Sequence, residues 1–222
     1  MSRHLQQEIE NLKKKLLTIV ATAKEAVEKA VKSVDERDAT LAQAVVDGDV
    51  EIDRAEVNLE EDCLKILALY QPVATDLRLI VSVMKINNDI ERIGDLAVNI
   101  AERTLFLCTK APVEAPTDLA PMATKALAML SSSLDALVRL DTKLAREVRE
   151  RDDEVDAINR RLFQEFSAAV EKDPQRVECL LSYLSVGRHL ERIADYATNI
   201  AEDVIYLTEG EIVRHKPTVP EK

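Results

Sequence analysis

The chain has 222 residues, of which 46% are hydrophobic and only 3% aromatic, and its formal net charge is −11. Glycine is scarce, whereas Ala, Leu, Glu, Lys and Arg are abundant, a composition typical of long helices. A surface this acidic repels phosphate backbones and anionic lipids, which argues against a nucleic-acid-binding or lipid-binding protein.

The sequence also indicates where in the cell the protein works. No apolar run approaches the roughly 20 residues needed to cross a bilayer, and the N-terminal residues have no apolar signal-peptide region. The cysteines are odd in number and far apart, at Cys63, Cys108 and Cys179. This pattern favours reduced thiols and a cytoplasmic location.

Apolar periodicity and its interruptions predict six helices. The first ends at Asp47-Gly48, and the second ends at Gln71-Pro72 because the residue before a proline avoids helix. The third covers about residues 76–108, before the stretch TKAPVEAPTDLAP at residues 109–121, whose three prolines favour a linker. The remaining helices cover about residues 122–150, about 152–172, and from there to about residue 208, where Gly210 is placed to end the last one.

An internal duplication relates the two halves of the chain. The segment ERIGDLAVNIAE at residues 91–102 returns as ERIADYATNIAE at residues 191–202, with nine of twelve positions identical. Short connections make sequential helices antiparallel neighbours. The predicted fold is therefore all-α, with two tandem three-helix bundles at residues 1–110 and 122–208, a Pro-rich linker at 111–121 and a polar tail at 209–222. One continuous six-helix bundle is the alternative.

The duplication repeats acidic side chains as well as apolar ones. On a helical wheel with about 100° per residue, the acids of residues 91–102 fall opposite the apolar stripe. Each half carries two acid-x-x-x-acid steps, one on its middle helix and one on its last helix, and an Asn follows the second step. The residues are Asp49, Asp53, Glu91, Asp95 and Asn99 in the first half, and Asp152, Asp156, Glu191, Asp195 and Asn199 in the second.

These ten residues are the predicted metal ligands. Carboxylates crowded on one surface repel each other unless a cation neutralises them, and oxygen ligands suit hard cations. The candidate ions are Fe, Mn, Mg, Zn or Ca. The second acidic ladder is shorter, because Asn159 and Phe163 stand where the first half has Glu56 and Glu60. The alternative is that the acids form the solvated face of surface helices, with Arg92 and Arg192 as ion-pair partners.

Motifs for catalysis are lacking in the sequence. It has no phosphate-cradling Gly-rich loop, and no Glu lies three residues before any of the histidines His4, His189 and His215, as a di-iron bundle requires. His189 replaces Asp89 of the first repeat and lies about 160° from the acidic centre of the wheel, which favours a packing role. We therefore predict a protein that is not an enzyme.

Four motifs resemble the PhoU family of phosphate-specific transport accessory proteins. They are YQPVATDLR at residues 70–78, DIERIGDLAVNIAE at 89–102, LERIADYATNIAE at 190–202 and IYLTEGEIVRH at 205–215. The resemblance runs from about residue 4 to residue 215. The paired acidic steps of this chain match those of the family, whereas His189 and the truncated second ladder depart from its pattern.

The resemblance implies a function that the residues alone do not. It implies two three-helix bundles, often as a homodimer, with multinuclear metal clusters on the bundle surface in some members. It also implies a negative regulator of the phosphate-starvation response that links the transporter's ATPase subunit to a membrane sensor histidine kinase. Contact with the membrane would then occur only through these partners. The alternatives are a metal-binding or storage protein and a PhoU-like paralogue with another partner.

Overall fold

The computed structural model describes residues 3–214, which form two bundles of helices. The elements are α1 (Arg3–Glu36), α2 (Ala39–Tyr70), α3 (Ala74–Cys108), α4 (Leu119–Arg139), α5 (Thr142–Glu150), α6 (Asp152–Lys172), a short 3-10 helix (Pro174–Arg176) and α7 (Val177–Glu209). Helices α1–α3 pack together, as do α4–α7. Because α5 and α6 together occupy the place of α2, each half is a three-helix bundle, and the predicted all-α fold class is confirmed.

The predicted helix end at Asp47-Gly48 is wrong, because α2 continues through both residues. The chain turns earlier, at Arg37, which adopts a left-handed backbone with φ 50°. The amide of Asp38 then donates to the carbonyl of Ser33 at 3.0 Å, a hydrogen bond that closes α1. The Asp38 carboxylate caps the new helix by accepting from the Thr40 and Leu41 amides at 2.8 and 3.0 Å.

An equivalent corner in the second half interrupts the predicted fourth helix. Leu140 has φ 53°, the Asp141 amide donates to the Ala136 carbonyl at 3.0 Å, and the Asp141 carboxylate accepts from the Leu144 amide at 3.0 Å. Residues 119–150 are therefore two helices, α4 and α5. A single residue, Arg151, separates α5 from α6.

The two bundles share one continuous hydrophobic core. Helix α3 packs along α7, and α1 also touches α4. Buried isoleucines of α3, such as Ile90 and Ile93, belong to the same apolar cluster as Ile193 and Ile200 of α7. The repeated segment thus lies where the two halves meet. Helix α7 ends as predicted, at Gly210 with φ 75°.

Beyond α7, the described part of the polar tail is held against the second bundle. Val213 is buried, and the Arg149 guanidinium donates to its carbonyl at 3.2 Å. His215 and the rest of the tail lie outside the described residues.

Within residues 3–214, no helix is long and apolar enough to span a membrane. The three cysteines are unpaired: Cys63 and Cys179 are buried, and Cys108 is half-buried.

Two glycine substitutions test the helix assignment and the packing. A Cβ added at Gly48 would meet nothing within 4 Å, so Gly48→Ala is expected to stabilise α2 by about 0.5–1 kcal/mol through helix propensity.

A Cβ at Gly187 would lie 2.1 Å from Leu162 Cδ2, so Gly187→Ala must displace a buried leucine and is expected to destabilise the protein by about 1–3 kcal/mol. Urea unfolding measures both; destabilisation by Gly48→Ala would contradict a helix through residue 48.

Candidate functional site: two acidic patches

The first acidic patch forms where α2 and α3 pack side by side. Gly94 permits the close approach: a Cβ there would lie 3.3 Å from Ile52 Cδ1 and 3.5 Å from Asp49 Oδ1. Burial raises the pKa of the Asp49 carboxyl, and the nearby charges of Asp53 and Asp95 raise it further. The structure thus brings residues of both predicted acidic steps together.

The centre of the first patch is partly neutralised by a basic side chain of the chain itself. Burial and the charge of Asp95 raise the pKa of Glu91, while Arg92 lowers it and Glu56 adds to the rise. The Arg92 guanidinium lies 3.3 Å from Glu91 Oε2 and 3.1 Å from Asp95 Oδ2. These contacts are the ion pairs that the solvated-face interpretation predicts.

The second patch repeats this arrangement between α6 and α7. Burial and then the charge of Asp156 raise the pKa of Asp152, although Thr198 Oγ1 opposes the rise by donating to Asp152 Oδ1 at 3.3 Å. Partial desolvation, followed by the charges of Asp152, Glu191 and Asp156, raises the pKa of Asp195 to about 6. The four predicted acids of the second half therefore share one electrostatic environment.

The two predicted asparagines do not point into the patches in an equivalent way. The Asn99 amide donates to the backbone carbonyl of Asp95 at 2.8 Å, one turn back on its own helix. Asn199 instead lines a groove between α3 and α7, together with Lys85 and Glu202. Sequence periodicity placed both residues beside the acids, but the direction of each side chain depends on its neighbours.

The donor set of each patch suits a hard cation, since it consists of carboxylate oxygens. Among the described residues, however, no group of three His, Cys, Asp or Glu side chains is arranged to hold a metal ion. The patches gather candidate ligands on one surface without forming a coordination shell. Metal ligation by the ten residues therefore stays a prediction.

A buried charge cluster between α3 and α7 was missed by the sequence reasoning. The side chain of Asp203 is only 2% exposed, and its Oδ1 lies 3.4 Å from Lys85 Nζ and 3.3 Å from Arg214 Nη2. Within residues 3–214, Asp203 Oδ2 has no hydrogen-bond partner. Burial and the charge of Asp203 raise the pKa of Asp89 to about 7, while Arg214 and Lys85 oppose the rise.

Lys85, Asp89 and Arg214 of this cluster line a groove of about 640 Å³. Beside it, the nearly buried Arg149 and Glu202 pair at 3.2 Å. A signal was present in the repeat, because Asp203 takes the place of Arg103 and His189 the place of Asp89. His189 is half-buried, and desolvation together with nearby arginines lowers its pKa to about 4, in keeping with a packing role.

Comparison with known proteins places the whole chain in one family. The PhoU domain model matches twice, at residues 16–104 and 119–204. A phosphate-specific transport system accessory protein PhoU homolog from Aquifex aeolicus is 39% identical over 95% of both chains. The homolog from Pseudomonas aeruginosa is 37% identical, over 97% of this chain and 89% of its own length.

Two solved structures of PhoU proteins have the same fold as this chain. The crystal structure of PhoU from Pseudomonas aeruginosa superposes with a TM-score of 0.89 at 36% identity, covering 93% of this chain and 99% of the other. That of the phosphate transport system regulatory protein PhoU from Streptococcus pneumoniae gives 0.86 at 30% identity, covering 94% and 99%. With two copies of the domain and relatives aligned over nearly their full lengths, this chain belongs to the PhoU family.

Proposed function

We propose that this protein is a non-enzymatic, cytoplasmic regulator of phosphate uptake. The observation that carries the proposal is the full-length match to proteins named as phosphate-specific transport system accessory proteins, at 39% identity over 95% of both chains for the relative from Aquifex aeolicus. In this role the protein links the ATPase subunit of a phosphate transporter to a membrane sensor histidine kinase and represses the starvation response.

The charge distribution supports a role in protein contacts. Both acidic patches lie where two helices of a bundle meet at the surface. Burial raises the pKa of Asp49 and Asp195, and the like charges of neighbouring carboxylates raise it further. A basic surface of a partner would relieve this repulsion and be steered towards it. The membrane would be reached only through such partners.

Deletion of the gene should switch on phosphate-starvation genes in phosphate-rich medium, because repression requires the adapter. A reporter for those genes measures the effect. Complementation with the parent gene should restore repression. Asp135→Asn changes an exposed acid outside both patches, so complementation with this control variant should restore repression equally. Reporter levels unchanged by deletion would rule out the regulatory role and favour a paralogue with another partner.

The transporter ATPase and the kinase can be identified directly. Tagged protein isolated from native membranes in high phosphate should retain one or both of them, and mass spectrometry identifies what is bound. Charge-neutralised variants of each patch, Asp49→Asn/Asp95→Asn and Asp152→Asn/Asp195→Asn, should recover less of the partner that docks there. Equal recovery by the parent and both variants would place docking elsewhere on the surface.

Metal binding is a second candidate function, favoured by the mutual repulsion within the patches. A hard cation held by Asp152, Asp156, Glu191 and Asp195, or by the equivalent acids of the first half, would neutralise the cluster. The ion would supply charge and order to the surface. Storage of metal is less well supported, because a patch on a helix surface serves exchangeable loading badly.

Elemental analysis of protein purified without chelator tests this candidate. Each patch variant is expected to lose about half of the bound metal, because each removes the ligands of one patch. Manganese titration by calorimetry gives the matching loss of sites, with Asp135→Asn as the control. A parent protein that binds no metal would leave the acids as a solvated face.

The pH dependence of stability tests the electrostatics of the metal-free protein. Because the pKa of Asp195 is about 6 in the folded chain against an ordinary 3.8, the stability that this group contributes is present at low pH and lost as pH rises through about 6. Asp195→Asn should therefore stabilise the protein by about 1 kcal/mol at neutral pH, a value discounted because the side chain is exposed to water. The gain should vanish near pH 4 in urea unfolding; an equal gain at both pH values would contradict this origin.

A further inference from the structure

A cluster of basic side chains lies on the contact between α3 and α7, at the end opposite to the buried Asp203. Its members are Arg103 of α3 and Arg188 and Arg192 of α7. Desolvation and then the charges of all three arginines lower the pKa of the half-buried His189 to about 4. The imidazole is therefore uncharged at neutral pH, and three positive charges are gathered around it in a chain whose net charge is −11.

The protein itself neutralises these arginines poorly. Within residues 3–214, neither Arg188 nor Arg192 takes part in an ion pair, although Arg92, at the equivalent position of the first repeat, pairs with two acids. Arg103 Nη2 lies 3.8 Å from Glu102 Oε2, and both side chains of this long ion pair are exposed to water, which makes it weak. Cations gathered in this way repel one another unless an anion joins them.

The equivalent end of the same contact shows what kind of partner is missing. Because α3 and α7 run in opposite directions, the duplication relates Arg103 and His189 at this end to Asp203 and Asp89 at the other. There the buried Asp203 carboxylate lies 3.3 and 3.4 Å from two basic side chains. One end is thus an anion held by cations, whereas the other end has the cations without an anion.

The same symmetry places these arginines where the first end has room for a ligand. The groove at the first end has a volume of about 640 Å³, which suits a small molecule. Five polar residues of its lining have counterparts at the basic end. They are Lys85, Asn88, Asp89, Asn199 and Glu202, which correspond to Ser185, Arg188, His189, Asn99 and Glu102. The basic end therefore keeps polar groups at these positions but replaces an acid by a neutral imidazole and an amide by a guanidinium.

His189 adds a polar atom that lacks a partner. Within residues 3–214, its buried Nδ1 has no hydrogen-bond partner. In the Nδ1–H tautomer this nitrogen is a donor without an acceptor, and leaving a buried donor unpaired costs free energy. An oxygen atom of a bound oxyanion would supply the acceptor.

We propose that Arg103, Arg188 and Arg192 form a binding site for a phosphate-type oxyanion beside the neutral imidazole of His189. Guanidinium groups suit this ligand because their planar N–H donors match two phosphate oxygens at once. The ligand is inorganic phosphate or the phosphate group of a small metabolite. The charge of Arg192 also lowers the pKa of Asp195, so the site borders the second acidic patch, which disfavours large polyanions. This inference goes beyond the adapter role, which requires no small ligand.

Isothermal titration calorimetry of the full chain, freed of metal, tests the site with inorganic phosphate and, separately, with AMP. At least one should bind with a dissociation constant of about 1 mM or lower. Arg103→Gln and Arg188→Gln should each raise that constant by about tenfold, because each removes charge-assisted hydrogen bonds. Arg139→Gln changes an exposed arginine in the last turn of α4, so this matched control should bind as the parent does.

The two ligands distinguish the two sources of the anion. Binding of inorganic phosphate as tight as that of AMP supports the free ion as the ligand, and tighter binding of AMP supports the phosphate group of a metabolite. Binding of neither, or binding that both cluster variants leave unchanged, would overturn the proposal. Since the measurement uses purified protein, its outcome is independent of the regulatory role.

An NMR titration of the His189 imidazole tests where the anion binds. A bound oxyanion adds negative charge beside the ring, so whichever of phosphate and AMP binds should raise the pKa of His189. His189→Asp introduces the residue that the first repeat has at Asp89, so the variant is expected to fold. Its carboxylate would occupy the cluster and raise the dissociation constant by about tenfold or more. Circular dichroism shows whether it is folded; a folded variant that binds as tightly as the parent, or a His189 pKa that the ligand leaves unchanged, would overturn this location.

Discussion

The antiparallel contact between α3 and α7 is the constraint on which the rest of the structure depends. Both helices come from the repeated segment, and each is the last helix of its bundle, so packing them together makes one core from two units. The contact also relates equivalent positions by a local two-fold axis. At one end the charge of Asp203 raises the pKa of Asp89, and at the other end the charge of Arg103 helps to lower the pKa of His189. The duplication makes these two pairs equivalent, because Asp89 corresponds to His189 and Arg103 to Asp203. The two ends now differ in charge, with two acids at one end and a His–Arg pair at the other, while the apolar centre has kept its pattern.

The acidic end of this contact needs additional partners, and the structure supplies them. A carboxylate as buried as that of Asp203 is costly unless cations accompany it, and Lys85 of α3 and Arg214 of the segment after α7 take that place. Arg149 of α5 holds the same segment through the carbonyl of Val213. The cluster thus joins both bundles and the end of α7. Its contribution is better described as fixing their relative position than as stability, since buried ion pairs roughly balance their desolvation.

The sequence was sufficient for the duplication, the all-α fold and the side-by-side placement of the acidic steps, because these follow from helical periodicity within one half. It misplaced the helix corners. The left-handed corner positions are occupied by Arg37 and Leu140 rather than glycine, whereas Gly48, which looked like a break, lies inside α2. The better signal was the aspartate that follows each corner and caps the next helix. The Asp203 cluster was missed: the repeat marks its position, since Asp203 takes the place of Arg103, but the partners of Asp203 depend on how the two halves dock.

The two proposed roles of the acidic patches are physically linked. In the first patch the Arg92 guanidinium already neutralises part of the negative charge. In the second patch, burial raises the pKa of Asp195, and the repulsion from Asp152, Glu191 and Asp156 raises it further. A metal ion and a basic partner surface would both relieve that repulsion by occupying the same carboxylates. Binding of one would therefore weaken binding of the other by the same factor, as linkage requires. If metal and partner meet at one patch, the metal acts as a competitor in the adapter's regulation, which makes binding and regulation one equilibrium instead of alternatives.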